Sequence, residues 1–316
     1  YEARLIKKIG AGARRMLGIF REAAEGGRVV PVDKKSDKEW AIPPGATEGA
    51  RDGELVEAEQ VGGPRMGLPR AKIVARVGDP SAPGQVSLIA LHQYGIPDAF
   101  PAEVEAEADR VVEPAFEGRT DLRPLPLVTI DPADARDHDD AVCALPDTNG
   151  DNPGGHIVWV AIADVAASVP PGSELDREAL KRGNSTYFPD RVAPMLPERL
   201  SGDLCSLHEG VDRACLAVAL RLDASGNKID HRFERGVMRS RASLTYEQAQ
   251  AAADGRPDAQ AEPLLEETIR PLWAAFRAAA AARGRRQPLD LELPERRIVL
   301  DEAGEVVDIP VRERLD

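Results

Sequence analysis

Five aspartates crowd one ten-residue stretch of this chain, Asp131-Pro132-Ala133-Asp134-Ala135-Arg136-Asp137-His138-Asp139-Asp140. Two carboxylates about 5 Å apart repel by roughly 3 kcal/mol at an effective dielectric near 20. Holding several together takes raised pKa values or a cation. An all-oxygen donor set suits a hard ion, Mg²⁺ first and Mn²⁺ after it. In extended backbone Asp137 and Asp139 share a face with Cα atoms about 7 Å apart, Asp140 points away, and Asp131 enters from the preceding segment. Such a set can straddle two divalent ions about 4 Å apart, the spacing used for in-line displacement at phosphorus. The charges of four carboxylates and two such ions cancel, and only a neutralised site accepts a phosphate anion. A calcium loop of the EF-hand type is excluded, because the required Gly and Glu are absent for any starting Asp. A solvated acidic turn is the competing reading.

The flanking residues argue against that simple turn. An apolar run from Leu125 to Ile130 ends at Asp131, and a second begins at Ala141. Three strands are expected, near 125–131, 140–145 and 157–165. The last, Ile157-Val158-Trp159-Val160-Ala161-Ile162-Ala163-Asp164, is apolar almost throughout, which predicts cover on both faces. Asp164 closes it, either as a turn cap or as a support for the acidic loop. A helix is predicted from Ser173, its N-cap, to Gly183. A hairpin follows over 213–223 and 227–237, turning at Ala224-Ser225-Gly226-Asn227. Helices are predicted near 245–254 and 264–283. The second carries Leu265, Ile269, Leu272, Trp273 and Phe276 on one stripe, read as core packing, with a kink at Pro271. A last hairpin spans about 291–311.

Upstream, residues 16–91 read as short strands with two-residue alternation: Leu17/Ile19, Val30/Val32, Val56/Ala58, Ile73/Ala75/Val77 and Leu88/Ala90. Five such strands broken by Gly and Pro turns predict a small antiparallel barrel of the oligonucleotide-binding type. Lys7, Lys8, Arg14, Arg15, Lys34, Lys35 and Lys38 would give it phosphate contacts, or merely keep it soluble. Phe20 and Trp40 are its main candidates for base stacking. Residues 78–126 are rich in proline and hold an acidic segment, Glu103 to Glu113, read as an exposed helix and linker.

Composition narrows the class. The chain has 316 residues, 42% hydrophobic and 30% charged, enough for two or three soluble domains. No apolar run reaches the ~18 residues of a membrane span and no signal-peptide pattern opens the chain, so a cytoplasmic protein is expected. It begins at Tyr1 instead of Met, which suggests a processed or partial segment. Cys143, Cys205 and Cys215 form no CxxC pair and read as buried reduced thiols. The net charge of −13 opposes simple electrostatic binding of nucleic acid, but it is uneven. Residues 1–40 carry ten Lys/Arg against six Asp/Glu, a net of +4, which leaves −17 for the remainder. A basic entry module before an acidic, metal-loaded centre fits, and so does an acidic enzyme with an incidental basic end.

The acidic motif also resembles a known signature. Thr129-Ile130-Asp131 followed by Asp134-Ala135-Arg136-Asp137-His138-Asp139-Asp140-Ala141-Val142 is similar to that of the ribonuclease II/ribonuclease R family of exoribonucleases. The similarity continues through Val160-Ala161-Ile162-Ala163-Asp164-Val165, Tyr187-Phe188-Pro189, Met195-Leu196-Pro197, Leu200-Ser201 and Asp203-Leu204-Cys205-Ser206-Leu207. It covers the chain from about residue 125 to its end, and the barrel resembles that family's cold-shock domain. The resemblance implies hydrolysis of single-stranded RNA from the 3′ end, with Mg²⁺, to nucleoside 5′-monophosphates. It implies that Asp131, Asp137, Asp139 and Asp140 bind metal and carry catalysis, and that Tyr187 stacks on a base near the 3′ end. His138 stands where the family has a large apolar residue and is expected to sit behind the ligands.

The family's later Ser-Pro-Ile-Arg-type motif, its S1 domain and a second stacking aromatic do not occur in these residues. The expectation is therefore an α+β chain. Residues 1–95 form a five-stranded OB-type barrel, 96–124 a linker, and 125–316 the first part of a mixed α/β nuclease domain, truncated at its C-terminal end. Single-stranded RNA is the expected partner, with no membrane, no obligate protein partner and a monomeric full-length form. Two other readings stand beside this one: a catalytically incomplete RNA-binding fragment, and a metal-dependent phosphatase acting on small esters.

Overall fold

The computed structural model describes residues 15–32, 38–62, 67–289, 293–312 and 315. The chain is a mixed α/β protein that divides into two compact units, interleaved along the sequence. The first comprises Tyr1–Ala99, Thr186–Ala193 and Arg296–Pro310, and the second Phe100–Ser185, Pro194–Glu295 and Val311–Asp316.

In the first unit, strands β1 (Arg15–Ala23), β2 (Gly26–Pro31), β3 (Trp40–Ile42), β4 (Leu55–Gln60) and β5 (Ala71–Gly78) form an antiparallel sheet in the order β3-β2-β1-β4-β5. A bridge between Ala41 and Arg70 joins its edges, with Ala41 N–H donating to the Pro69 carbonyl at 2.8 Å. The closed, OB-like sheet surrounds Met16, Phe20, Val29, Trp40, Ile42, Val56, Ala58, Ala71 and Ile73. Phe20 and Trp40 are only 1% and 8% exposed, so the two expected stacking aromatics are core residues instead. The alternation at Leu88/Ala90 is not a strand. Gly84 takes a left-handed φ of 79° and opens helix α1 (Gln85–Tyr94). The fifth strand is β3, whose three residues are too few to show a period.

Of the basic residues assigned to phosphate, Lys7, Lys8, Arg14, Lys34 and Lys35 lie outside the described residues. Arg15 pairs with Glu57 at 3.2 Å, and Lys38 is exposed.

The second unit begins with helix α2 (Ala102–Ala108), whose Val104 and Ala108 are buried against Leu175, Leu196 and Leu200. The expected linker is therefore packed structure, and it also supplies β6 (Thr120–Asp121) to the main sheet. After β7 (Thr129–Asp131) come β8 (Asp140–Pro146), β9 (His156–Ala163), α3 (Val165–Ser168) and α4 (Glu174–Arg182). Ser173 caps α4 as expected, its Oγ accepting from Asp176 N–H at 3.1 Å. The ribbon β10 (Thr186–Tyr187) and β11 (Val192–Ala193) belongs to the first unit.

The main sheet is completed by β12 (Asp212–Leu222) and β13 (Lys228–Arg239), in the order β6-β13-β12-β9-β8. Its inner face buries Ala141, Cys143, Trp159, Ala161, Cys215 and Ala217. The other face of β9 is only partly covered and Ile162 is exposed, so the apolar run reflects one full face, not two. All three cysteines are free and buried, and burial pushes the Cys143 thiol up to about 12.

β14 (Ser243–Thr245) pairs in parallel with β7, then leads into α5 (Tyr246–Ala253), capped reciprocally by Thr245 and Gln248. Helix α6 (Arg270–Arg285) follows a wide helical turn at Leu265–Ile269, which absorbs Pro271 in the first turn of α6. Its stripe is only partly core: Ile269 is buried, while Leu272, Trp273 and Phe276 line an apolar cavity of about 290 Å³ with Ile130, Tyr246 and Leu315.

Candidate active site

The acidic residues sit on a loop whose two ends are pinned. Val128 and Val142 exchange backbone hydrogen bonds of 3.1 and 2.8 Å, closing the segment that carries Asp131 through Asp140. On one side Asp131 ends β7, aligned with Thr245 of β14. Val128 is buried, and Ile130 packs in the cluster formed by Ala242, Leu244, Ala249 and Ile269. On the other side Asp140 opens β8 opposite Ile162. Two apolar strands thus deliver the acids to one place, because each strand is anchored by the residues before or after its aspartate.

Between the ends the backbone follows no regular element, so its polar groups need other partners. Ser206, fully buried, supplies two of them. Its Oγ accepts from His138 N–H at 3.0 Å and donates to the Arg136 carbonyl at 3.0 Å. Leu207 N–H donates to the His138 carbonyl at 2.9 Å, and Ala163 N–H to the Asp139 carbonyl at 3.0 Å. Arg213 in turn donates from Nε to the Ser206 carbonyl at 3.0 Å. Sequence reasoning noticed Asp203–Leu207 only as part of a resemblance. Its positional role has no compositional signal beyond a Ser in an apolar setting.

Electrostatics ties four of the five acids together. Asp139 is raised above the ordinary carboxylate range, first by burial and then by repulsion from Asp137, Asp140 and Asp131, with His138 opposing. Asp140 is raised by burial and then by Asp131. Both residues keep solvent-exposed surface, yet the protein packed behind them strips part of the water from their carboxylates. The structure therefore brings Asp131, Asp137, Asp139 and Asp140 within electrostatic reach of one another, while Asp134 is exposed on the outer turn. His138 stands behind Asp131, with Nδ1 at 2.7 Å from Asp131 Oδ2.

The donor set is all oxygen, mutually repelling and partly desolvated, which fits a hard divalent cation. Among the described residues no three Asp, Glu, His or Cys side chains converge as a ready-made cage. Mg²⁺ does not require one, since it keeps several waters and is held by one or two carboxylates together with substrate phosphate.

The two remaining candidates lie elsewhere. Asp164 does not cap α3 by its side chain: it is buried in ion pairs with Arg119 at 2.8 Å and Arg235 at 3.6 Å. The Arg119 contact is not an aligned hydrogen bond, and Oδ2 accepts none. Tyr187 belongs to the first unit, on the β10–β11 ribbon, and is 64% exposed.

A family model described as the RNB domain matches residues 119–316, and one described as a cold shock domain matches residues 29–101. The chain is 42% identical over 268 residues to the Ribonuclease R of Acidithiobacillus ferrooxidans, covering 81% of this chain and 60% of that protein. It is 37% identical over 322 residues to the Ribonuclease R of Escherichia coli (strain K12), covering 100% of this chain and 39% of that one. Among solved structures, Mycoplasma genitalium RNase R in complex with ribose methylated single-stranded RNA superimposes with a TM-score of 0.82. That match has 24% identity, covers 95% of this chain and 48% of that one, and is a likeness of fold. The chain thus spans 60% or less of the length of these relatives.

Proposed function

The chain belongs to the RNB-domain family, and on that premise we propose that it is a metal-dependent 3′→5′ exoribonuclease of single-stranded RNA, acting in the cytoplasm. The observation that carries the reading is the coupling of Asp131, Asp137, Asp139 and Asp140 on a loop pinned between two strands. Carboxylates gathered at such a cost in repulsion are arranged for cationic charge, and a phosphodiester brings none of its own. Curated relatives named Ribonuclease R, at 42% and 37% identity, support RNA as the polymer.

In this reading Asp131, Asp137, Asp139 and Asp140 would hold Mg²⁺ or Mn²⁺, which when bound would lower the pKa of a water and neutralise charge at the phosphoryl group. His138 fixes the orientation of the Asp131 carboxylate through Oδ2. Ser206 and Leu207 hold the loop backbone, so that the acids keep their places as substrate charge enters. Water oxygen bonds to phosphorus and the bond from phosphorus to the 3′-oxygen breaks. The shortened RNA takes the proton at that oxygen, and the terminal nucleotide leaves as a 5′-monophosphate. Tyr187 stacks on a base near the 3′ end.

The test uses single-stranded RNA labelled at the 3′ end, with Mg²⁺. Labelled mononucleotide should appear from the first time point, and Asp139→Asn should slow its release on the order of 10³-fold, the scale of losing one preorganised electrostatic partner. Unchanged release by that variant would reject the assigned roles. A second reading, an RNA-binding chain without turnover, is favoured by the lack, among the described residues, of three Asp, Glu, His or Cys side chains that converge as a cage. Tight RNA binding with no product would select it.

A further inference from the structure

The ribbon that carries Tyr187 is too small to hold itself. It has two strand pairs, Thr186↔Ala193 and Tyr187↔Val192, with Phe188 N–H donating to the Arg191 carbonyl at 2.8 Å. An isolated two-stranded ribbon is marginal at best in water. Its turn, however, is tied to helix α1 of the same unit. Ser87 Oγ donates to Asp190 Oδ1, joining residues 103 positions apart. Arg191 Nε donates to Asp190 Oδ2 at 3.0 Å, and Arg191 Nη2 to the Gly84 carbonyl at 3.0 Å. The Asp190 side chain is only 18% exposed, and Ser87 is buried. Charge-assisted bonds in partly desolvated surroundings are the stronger kind.

Gly84 is demanded twice. Its φ of 79° opens α1, and a Cβ there would come within 3.1 Å of both Arg191 Nη2 and Asp190 Oδ2. One residue thus gives α1 its start and leaves room for the clasp. Helix and ribbon meet in a network in which Asp190 accepts from both sides.

We infer that Asp190, held by Ser87 and Arg191 against α1, is the positioning residue that fixes Tyr187 for stacking on RNA, so that the barrel unit and the stacking ring act as one piece. The inference rests on the reading of Tyr187 as the base-stacking residue. Asp190 itself touches no substrate.

The test is fluorescence of a 2′-O-methyl RNA oligonucleotide with 2-aminopurine near its 3′ end, titrated with the full chain. Stacking quenches this base, and EDTA in place of Mg²⁺ withholds the ion that the proposed hydrolysis needs. Wild type should quench, and Tyr187→Ala should not. Asp190→Ala should lose at least half of the quenching and weaken binding about tenfold, while Asp190→Glu restores part of both. If Asp190→Ala fails to fold, Ser87→Ala removes one hydroxyl from the same clasp and should lose part of the quenching. Full quenching by a folded Asp190→Ala, with Tyr187→Ala inert, would show that the ribbon holds itself and would overturn the inference. Quenching that survives Tyr187→Ala would instead remove the stacking role, and the inference with it.

Discussion

His138 Nδ1 stands 2.7 Å from Asp131 Oδ2, so the residue that interrupts the run of acids also holds one of them. Its backbone is fixed as well, by Ser206 Oγ at 3.0 Å and by Leu207 N–H at 2.9 Å. The imidazole therefore reports the position of the loop to the carboxylate. Groups that orient a metal-binding carboxylate commonly contribute 10–100-fold in affinity or activity. In His138→Phe the Mg²⁺ concentration for half-maximal RNA hydrolysis is expected to rise about tenfold, with the rate at saturating Mg²⁺ within a few-fold of wild type. Titrating Mg²⁺ against release of labelled mononucleotide measures it. An unshifted curve would mean that Asp131 keeps its orientation unaided.

Ser206 does for the loop backbone what His138 does for the side chain. Replacing it by Ala strips the partner from His138 N–H and from the Arg136 carbonyl, in a spot the chain itself buries. Leaving such groups unpaired costs about 2 kcal/mol, or roughly 4–8 °C in Tm for a unit of this size. A thermal melt of Ser206→Ala should show that loss, and hydrolysis at 25 °C, where the variant is still folded, should fall about tenfold. A lower Tm with full activity would assign Ser206 to stability alone.

The acids were legible because five aspartates between two apolar runs break composition locally, and the run ending at Asp131 closes in a strand, though only over Thr129–Asp131. The β12–β13 hairpin and the Ser173 cap were legible for similar reasons, being carried by neighbours in sequence. What stayed hidden depends on distant partners. Phe20 and Trp40 are aromatic on a barrel, and only the closed sheet shows that they point inward. Leu88 and Ala90 alternate like a strand, yet Gly84 starts a helix there, and that helix carries the Ser87 that meets Asp190. Asp164 sits at a strand end, where caps are common, but its partner is Arg119, 45 positions upstream in the segment read as a linker.

The raised pKa values of Asp139 and Asp140 have a direction that can be measured. In the unfolded chain an Asp loses its proton near pH 3.9, and in the folded chain burial and neighbouring acids delay that loss. Over the interval just above pH 4 the folded state holds more protons than the unfolded one, so these groups lower stability as pH rises through it. The deficit is complete once pH has passed the folded-state pKa values. Without divalent cation, Asp139→Asn is expected to have a higher Tm than wild type at pH 7, a difference that shrinks as pH falls below about 4 and the carboxyl becomes protonated in both states. Added Mg²⁺ should raise the wild-type Tm and close the gap. A variant less stable than wild type at pH 7 in EDTA would contradict the repulsion inferred at the site.

Asp147 works in the opposite sense. At the end of β8 its Oδ2 accepts from Asn152 Nδ2 at 2.7 Å and from Arg221 Nε at 2.5 Å, and its Oδ1 from Asn149 N–H at 3.0 Å. Asn152 also donates to the Leu222 carbonyl at 3.0 Å, so this carboxylate joins the β8–β9 turn to the end of β12. The Asn152 amide, followed by Asn149 N–H and Arg221, holds the Asp147 carboxyl down at about 2. A depressed folded pKa stabilises above the unfolded value near 4, and that contribution is lost as pH falls from about 4 through 2. Asp147→Asn keeps the shape but loses the charge, and one of its amide N–H groups must face a donor. Its Tm should fall below wild type at pH 7, and the two melting curves should converge as pH is lowered toward 2. Parallel curves from pH 7 to pH 2 would show that the clasp is held by shape alone and that the charge of Asp147 contributes nothing to it.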